Sequence, residues 1–367
     1  MPPIMRRLAV IFVAGFICIC GGLRTFACTT FVLQGGDRIY LGRNLDWGWE
    51  DGLVLVNARH VRKIAFVAPD HVPAKWTSKY ESVTFNQFGR ELPFGGMNEA
   101  GLVVENMWLD GTQYPPADAR PEINMLQWIQ YQLDNYSTVA EVVGSDQQIR
   151  LENTAVRARI HYLVCDAQGD CATIEFLNGA MRVHRGGDLP YRALANDTYE
   201  RATAYLRAHP PRKGAAQPFF RTGSLARFCR AAARANEFKP AKIPAQDLDY
   251  AFDTLSQVRQ GKFTVWQIVY DISTRQIHFR TRSNPQKRQV DFKTLDFACT
   301  RPTQYVDIQA NASSSGVLEF HELSEAEHQK YVEHFFAQKS LKRTVGDMTS
   351  MVKPLLLTLR GYTCADQ

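Results

Sequence analysis

Several short motifs that mark large enzyme classes are missing from the sequence. It contains no GxxxxGKS or GxxxxGKT loop, no GxGxxG before a helix, no HExxH pair and no GxSxG elbow. These absences argue against P-loop phosphate binding, dinucleotide binding, zinc proteolysis and serine hydrolysis. The nine histidines are scattered, and no two stand at metal-ligand spacing. We therefore expect neither a metal nor another cofactor.

A strong charge bias is also missing. The 367 residues carry a formal net charge of +6, with 45% hydrophobic and 22% charged residues. That composition is typical of a globular protein with a large core, and the charge is too mild to indicate a nucleic-acid partner. The sequence has no internal repeat, heptad run or low-complexity tract. We expect a single large domain that binds no nucleic acid.

The longest apolar run is too short for a membrane span and lies at the amino terminus. Two arginines precede an apolar stretch over residues 8–23, and the small residue Ala27 stands just before Cys28. This order predicts a signal peptide over residues 1–27 that is removed on export to the periplasm or the cell exterior. Its removal takes away three arginines and no acid, which lowers the net charge from +6 to +3. No membrane span is expected in the mature chain.

A lipid anchor is the alternative interpretation of the same cysteine. Lipoprotein signals also end directly before a cysteine, and an acylated Cys28 would indicate a membrane-anchored binding protein without catalytic activity. Such signals usually carry Leu three residues before the cysteine and a small residue two before it. This chain has Thr25 and Phe26 at those positions. We rank the lipid anchor second.

Strand-like and helix-like stretches alternate in blocks along the mature chain. Short apolar stretches bounded by Gly, Asp and Pro predict strands over residues 29–33, 38–42, 53–56, 63–67, 82–86, 102–106, 264–272 and 276–281. Helical spacing predicts helices over residues 122–135, 198–208, 224–235, 245–256 and most of 324–359, with Pro121 starting the first and Pro354 breaking the last. These blocks indicate an α+β fold with helices outside antiparallel sheets. We predict one domain over residues 28–367, in which residues 324–367 form a mostly helical C-terminal extension.

Six cysteines remain after the leader, and export permits disulfides. Residues 167–169 predict a three-residue hairpin loop that places Cys165 opposite Cys171. In a non-hydrogen-bonded pair the Cα atoms lie about 4.5 Å apart, within reach of a disulfide. Two free thiols on neighbouring strands are the alternative. For Cys299 and Cys364 the sequence leaves the pairing open.

The first mature residues predict a hairpin that brings a cation to Cys28. With Gly35 and Gly36 as a two-residue turn, Thr30 opposes Leu41 and Cys28 opposes Arg43. Residues paired in this way have Cβ atoms about 5 Å apart. A guanidinium at that distance favours the thiolate form of a cysteine.

As the first mature residue, Cys28 would also carry a free α-amino group. Its pKa, near 8, suits a group that takes and returns a proton at the working pH. Nucleophile and base would then come from one residue. Asp46 lies three residues after Arg43, so it shares this site only if the chain turns after Asn44.

Five segments stand in a distinctive order: CTTF at 28–31, GRNLDW at 42–47, GGMNEAGLVVENMW at 95–108, LANDTY at 194–199 and GSLARF at 223–228. In this order they resemble the motifs of the choloylglycine hydrolase and penicillin V acylase family, over Cys28 to about Phe279. The resemblance implies the four-layered αββα fold of the amino-terminal nucleophile hydrolases. It also implies hydrolysis of linear amides by a homo-oligomer, a tetramer.

The resemblance assigns roles to particular residues. It implies that Cys28 is nucleophile and base, and that Arg43 and Asp46 hold and polarise its amino end. Asn196, in the LAN segment, would help to bind the oxyanion. Arg227, in the ARF segment, would lie near the nucleophile.

Four further residues are candidates for the walls of the site. Asn106 aligns with a second oxyanion asparagine of the family, although ENMW departs from the family pattern there. The aromatic residues Trp47, Trp108 and Tyr114 are candidates for an acyl pocket, and ordinary core packing is the alternative for them.

The expected substrate is a small molecule with an amide bond. Members of the family cleave bile salts, penicillin V or N-acyl homoserine lactones, each an apolar acyl group on a small polar amine. Export favours the last two. A ceramidase-like or N-acylethanolamine-like amidase is the enzymatic alternative, and the lipid-anchored binding protein is the alternative without catalysis.

Overall fold

The computed structural model describes residues 27–210, 223–313 and 317–365. The predicted signal peptide therefore lies outside the described residues, apart from Ala27. The described strands are β1 (Thr29–Gly35), β2 (Arg38–Asp46), β3 (Leu53–Asn57), β4 (Val61–Ile64), β5 (Lys75–Thr77), β6 (Ser82–Asn86), β7 (Pro93–Asn98), β8 (Val103–Trp108), β9 (Glu122–Asn124), β10 (Arg150–Glu152), β11 (Ile160–Cys165), β12 (Cys171–Leu177), β13 (Ala180–Arg185), β14 (Ala193–Leu194), β15 (Thr264–Asp271), β16 (Gln276–Thr281), β17 (Arg288–Asp291), β18 (Gln304–Asp307), β19 (His321–Glu322) and β20 (Thr363–Cys364). The described helices are α1 (Gln127–Asn135), α2 (Val139–Gly144), α3 (Tyr199–Ala208), α4 (Ser224–Glu237), α5 (Pro244–Gln257), α6 (Glu325–Ala337), α7 (Lys339–Val345) and α8 (Val352–Arg360).

Two large antiparallel sheets face each other. The first sheet has the strand order β14-β1-β2-β15-β16-β17, and the second has the order β13-β12-β11-β8-β7-β6-β3-β18-β19. Their inner faces meet through aromatic rings: Phe85 of the second sheet lies 5.3 Å from Phe279 and 6.3 Å from Tyr270 of the first, between ring centroids. Helices α4 and α5 cover the outside of the first sheet, and α1 covers the second. This arrangement confirms the predicted αββα sandwich.

The β1–β2 hairpin forms, but the predicted register is wrong by two residues. Gly35 pairs with Arg38 and Thr30 pairs with Arg43. The turn is Gly36-Asp37, and Gly36 has a φ of +58°, as the first central position of a type II′ turn requires. Gly35 is needed for a different reason: the Pro240 ring lies so close that a Cβ at position 35 would be only 2.4 Å from it. A shift of two keeps every side chain on its predicted face.

Two predicted helix boundaries also need correction. Residues 122–124 form β9, parallel to β10, and the helix starts only at Gln127. The Asn124 side chain accepts hydrogen bonds from the backbone N–H groups of Leu126 and Gln127, so an asparagine, not Pro121, organises the helix start. Pro354 does not break a helix; it lies in the first turn of α8, where its missing N–H costs no helical hydrogen bond.

Two disulfides join four of the described cysteines. Cys165 opposes Cys171 across the predicted hairpin, with Cα atoms 4.2 Å apart, and Cys299 is joined to Cys364. Cys28 and Cys229 are the free cysteines among the residues with described positions. Nowhere in the described ranges is a helix long and apolar enough to cross a membrane.

Candidate active site

Cys28 is buried directly before β1 and is held by its backbone. Its N–H donates to Oδ1 of Asn196 over 2.8 Å. Asn196 lies two residues after the end of β14. Its Nδ2 donates to the Trp108 carbonyl of the second sheet over 2.8 Å, and its N–H donates to Ser224 Oγ of α4 over 2.8 Å. The asparagine is thus fixed by both sheets and one helix before it reaches Cys28.

Arg227 projects from α4 into the same network. Its guanidinium donates to Oδ1 of Asn196 over 2.8 Å, to the Cys28 carbonyl over 2.5 Å and to Thr29 Oγ1 over 2.5 Å. Its Nη1 also lies 3.9 Å from Oδ2 of Asp46. The side chain is buried, and burial lowers its pKa. Arg227, which was predicted to lie near the nucleophile, therefore contacts Cys28 itself.

Asp46 reaches the site without the predicted turn after Asn44. That expectation is wrong, because β2 stays paired with β15 as far as Asp46. The irregularity lies in β15, where a one-residue bulge separates Thr264, opposite Asp46, from Trp266. A bulge increases the local twist and re-aims nearby side chains. Thr264 Oγ1 donates to Oδ1 of Asp46. Burial raises the pKa of Asp46 to about 6, against the lowering effect of Arg227 and Thr264.

Arg43 lies on the same face as Cys28 but pairs directly with Thr30. Its Nη2 donates to the Asn106 carbonyl over 3.0 Å. Burial raises the pKa of the Cys28 thiol, and the Arg43 charge opposes that rise, in the direction that the sequence predicts. The thiol therefore needs a base to remove its proton.

Glu105 was not predicted, although it is the ionic partner of Arg43. Its Oε2 lies 2.6 Å from Nε of Arg43, and its Oε1 accepts from the Tyr270 hydroxyl over 2.5 Å. Gly95, opposite on β7, leaves room for it: a Cβ there would lie 2.3 Å from the carboxylate. Burial raises the pKa of Glu105 to about 7, opposed by Arg43 and Tyr270. The sequence did hold a signal for this pair. Glu105 is the one acidic residue in the apolar run LVVENMW, and a buried charge requires a partner.

A small cavity of about 30 Å³ opens beside Cys28. Apart from Arg157 and Asn106, the residues that line it with Cys28 are apolar: Leu45, Trp47, Phe88, Phe94, Trp108, Leu126, Val156, Ala158, Ile160 and Met348. The side chain of Asn106 donates to the Phe94 carbonyl over 2.8 Å. Of the predicted pocket residues, Trp47 and Trp108 are therefore in place.

Tyr114 does not line this cavity, contrary to expectation. Its hydroxyl donates to the Ala158 carbonyl over 3.0 Å, and its ring packs on Phe176 with centroids 5.6 Å apart. These contacts hold the ring behind the segment that carries Ala158 and Ile160, both of which line the cavity. Tyr114 supports the wall instead of forming its surface.

Comparisons with known proteins identify relatives of this chain. The sequence pattern of the linear amide C–N hydrolases, choloylglycine hydrolase family, matches residues 28–231. A penicillin V acylase of Pectobacterium atrosepticum is 28% identical over 319 residues, covering 76% of this chain and 84% of that protein. The solved structure of a penicillin V acylase from Agrobacterium tumefaciens is 26% identical, with a TM-score of 0.66 over 76% of this chain and 90% of that one.

A more distant structure shares the fold alone. A variant of conjugated bile acid hydrolase from Clostridium perfringens has a TM-score of 0.62 at 15% identity, over 81% of this chain and 97% of that one. The family pattern, in contrast, covers more than half of the present chain and begins at Cys28. The protein belongs to the choloylglycine hydrolase family of linear amide C–N hydrolases.

Proposed function

We propose that the protein is an exported hydrolase that removes an apolar acyl group from a small polar amine through a thioester on Cys28. The observation that carries the proposal is the hydrogen bond from the Cys28 N–H to Asn196, which fixes the residue beside an apolar cavity. The leader composition of residues 1–27 supports export and cleavage before Cys28.

The base in this proposal is the α-amino group of Cys28. While the bond between Ala27 and Cys28 is intact, that nitrogen is an amide and cannot act as a base. Cleavage releases an amine whose ordinary pKa is near 8, close enough to neutrality to accept a thiol proton. The raised pKa of the buried Cys28 thiol supports the need for such a base. The Asp46 carboxylate, linked through Arg227, offsets the ammonium charge that forms.

The reaction then proceeds in two halves. The amine takes the thiol proton, the Cys28 sulfur attacks the amide carbon, and the oxyanion is held by Asn196, a backbone N–H and Asn106. One Asn196 amide hydrogen goes to the Trp108 carbonyl, and we assign the other to the oxyanion. The ammonium of Cys28 gives its proton to the departing nitrogen as the carbon–nitrogen bond breaks. The same amine then takes a proton from water, and the water oxygen attacks the thioester carbon. The carbon–sulfur bond breaks, the ammonium returns its proton to the departing sulfur, and the carboxylic acid is released with the Cys28 thiol regenerated.

The substrates we favour are penicillin V and N-acyl homoserine lactones, ahead of conjugated bile salts. Both carry a slim apolar acyl group, which suits the apolar lining of the small cavity. The two relatives described as penicillin V acylases, at 28% and 26% identity, support the first choice. The proposed export supports both choices, because an exported enzyme acts on amides outside the cytoplasm.

Turnover by purified, processed protein tests the proposal. Hydrolysis is followed as release of the amine from penicillin V, an N-acyl homoserine lactone and a conjugated bile salt. Cys28→Ala should abolish turnover of every substrate that the unchanged protein hydrolyses. Cys229→Ala, which alters the other free cysteine among the described residues, should leave turnover unchanged. Substantial activity of the Cys28→Ala protein would refute the thioester mechanism.

A further inference from the structure

The C-terminal part of the chain contributes one wall of the cavity beside Cys28. Met348 lines that cavity together with Cys28, Trp47 and Trp108. It lies far beyond residues 28–231, the part of the chain that matches the family pattern. The wall is therefore supplied by a segment that the family motifs do not contain.

Helix α6, which precedes Met348 in the chain, packs against the aromatic residues that line the cavity. The rings of Phe335 and Phe336 lie 5.3 and 5.5 Å from the Phe88 ring, between centroids. Phe88 in turn lies 5.4 Å from Phe94, and both of these residues line the cavity. The helix and the cavity wall thus form one continuous aromatic cluster.

Polar contacts fix the same helix to residues 87–90. The Tyr331 hydroxyl donates to the Gln87 carbonyl over 3.1 Å, and His328 Nε2 accepts from the Arg90 N–H over 2.9 Å. Burial lowers the pKa of His328 to about 3, consistent with its role as a neutral acceptor. Because a Cβ at Gly89 would lie 2.6 Å from Val332, the approach of the helix is close.

The far end of the segment is fixed independently. Strand β20 pairs with β4, and Cys364 in β20 is bonded to Cys299. Between α7 and α8, Gly346 adopts a φ of +90°, a left-handed conformation that suits glycine. Met348, two residues further along, lines the cavity. Met348 is thus held between two anchored elements.

The cavity that results is too small for a long acyl chain. Its volume of about 30 Å³ is two to three times the roughly 10–15 Å³ needed to admit one water molecule. An acyl group that exceeds this volume must displace part of the wall. Methionine is the most adaptable apolar side chain, because it is unbranched and has three rotatable bonds.

We propose that Met348 is a specificity-determining residue that limits the length of the acyl group accepted beside Cys28. The assignment rests on the proposed function for the reaction itself, but it makes a separate claim about binding. A smaller residue at position 348 should admit longer acyl groups, and a larger rigid residue should exclude all but the shortest.

Binding of straight-chain carboxylic acids, the class to which the reaction product belongs, tests the role of Met348 without relying on turnover. Acids from acetate to decanoate are titrated into the processed protein, and binding is read from the fluorescence of the cavity residues Trp47 and Trp108. In Met348→Ala, affinity should rise by about fourfold for each additional methylene that the enlarged cavity buries. Met348→Phe should lose affinity for the longer acids and keep it for acetate. Leu357→Ala, on an exposed position of α8, is the matched control and should leave the profile unchanged.

Turnover of N-acyl amides of one amine, with the same acyl lengths, is measured in parallel. Parallel shifts in both profiles support the assignment. An unchanged length profile in folded Met348→Ala and Met348→Phe proteins would overturn it. A shifted binding profile together with no turnover of any amide by the unchanged protein would support the role of Met348 and refute the proposed function. The two failures are therefore distinguishable.

Discussion

The backbone N–H of Cys28 donates to the Oδ1 of Asn196, 168 residues further along the chain, over 2.8 Å. The donor belongs to the main chain and the acceptor to a side chain. Substitution of Cys28 therefore removes the thiol and keeps the hydrogen bond, whereas substitution of Asn196 removes the hydrogen bond and keeps the thiol. The nucleophile and its positioning can thus be tested separately.

Replacing Asn196 with alanine should impair turnover without unfolding the protein. The variant loses the acceptor for Cys28 and the donor that we assign to the oxyanion. Loss of one oxyanion donor typically lowers kcat by about a hundredfold or more. Steady-state kinetics of Asn196→Ala, with the exposed Asn311→Ala as control, measures the effect. An unchanged kcat would contradict the role of Asn196.

The acid limb of the pH–rate profile should depend on Thr264. Burial raises the pKa of Asp46 to about 6, and the hydrogen bond from Thr264 opposes that rise. In Thr264→Val the pKa of Asp46 should rise further. Because the proposed mechanism needs the ionised carboxylate, activity should begin to fall at a higher pH than in the unchanged protein.

The full pH–rate profile of kcat/KM for both proteins measures this shift. Thr254→Val, which alters a buried threonine on α5, is the matched control. Coincident acid limbs in the Thr264→Val and unchanged proteins would show that ionisation of Asp46 does not limit activity.

Glu105 should make stability depend on pH. Its pKa is raised in the fold, from an ordinary 4.5 to about 7, so the folded state binds this proton more tightly than the unfolded chain. The stability it contributes is therefore complete below pH 4.5 and is lost as the pH rises through about 7. Glu105→Gln has no such dependence. Its free energy of unfolding, relative to the unchanged protein, should increase across that interval.

Urea unfolding at several pH values measures this difference. Glu333→Gln, on an exposed position of α6, controls for a general change of charge. Parallel stability curves for Glu105→Gln and the unchanged protein would mean that the Glu105 carboxylate carries no unfavourable burial energy.

The two disulfides should differ in their contribution to stability. They close loops with sequence separations of 6 and 65 residues. In the chain-entropy description, loss of Cys165–Cys171 costs about 2 kcal/mol and loss of Cys299–Cys364 about 4 kcal/mol. Urea unfolding of the two double alanine variants, with Cys229→Ala as control, tests the order. Equal losses would contradict it.

The sequence allowed the main elements of the fold and the cluster around Cys28 to be predicted because both depend on local patterns. Alternation of apolar residues identified the strands of both sheets, and the Gly169 loop predicted the Cys165–Cys171 pair. The β1–β2 register was wrong because two adjacent glycines offered two turns; the fold uses the Gly36-Asp37 turn, and Gly35 lies close to Pro240. Local sequence carries no information about that distant proline.

The remaining parts of the site depend on contacts between sheets and between distant segments. Glu105 becomes informative only when the second sheet brings it to Arg43. The bulge beside the Thr264–Asp46 pair belongs to β15, not to the strand on which Asp46 lies. Met348 reaches the cavity through a helical extension that is anchored at both ends. None of these three placements is encoded by spacing along the chain.

In the proposed mechanism the Cys28 amine is the base, and a comparison of two chains isolates its contribution. Two purified chains are compared for hydrolysis of the same amide: one begins at Cys28, and the other retains Ala27 and so keeps the Cys28 nitrogen as an amide. Both retain the thiol, Asn196 and Arg227. Since general acid–base catalysis typically contributes at least about a hundredfold, the chain that begins at Ala27 should be slower by that factor or more. Equal turnover of the two chains would contradict the account.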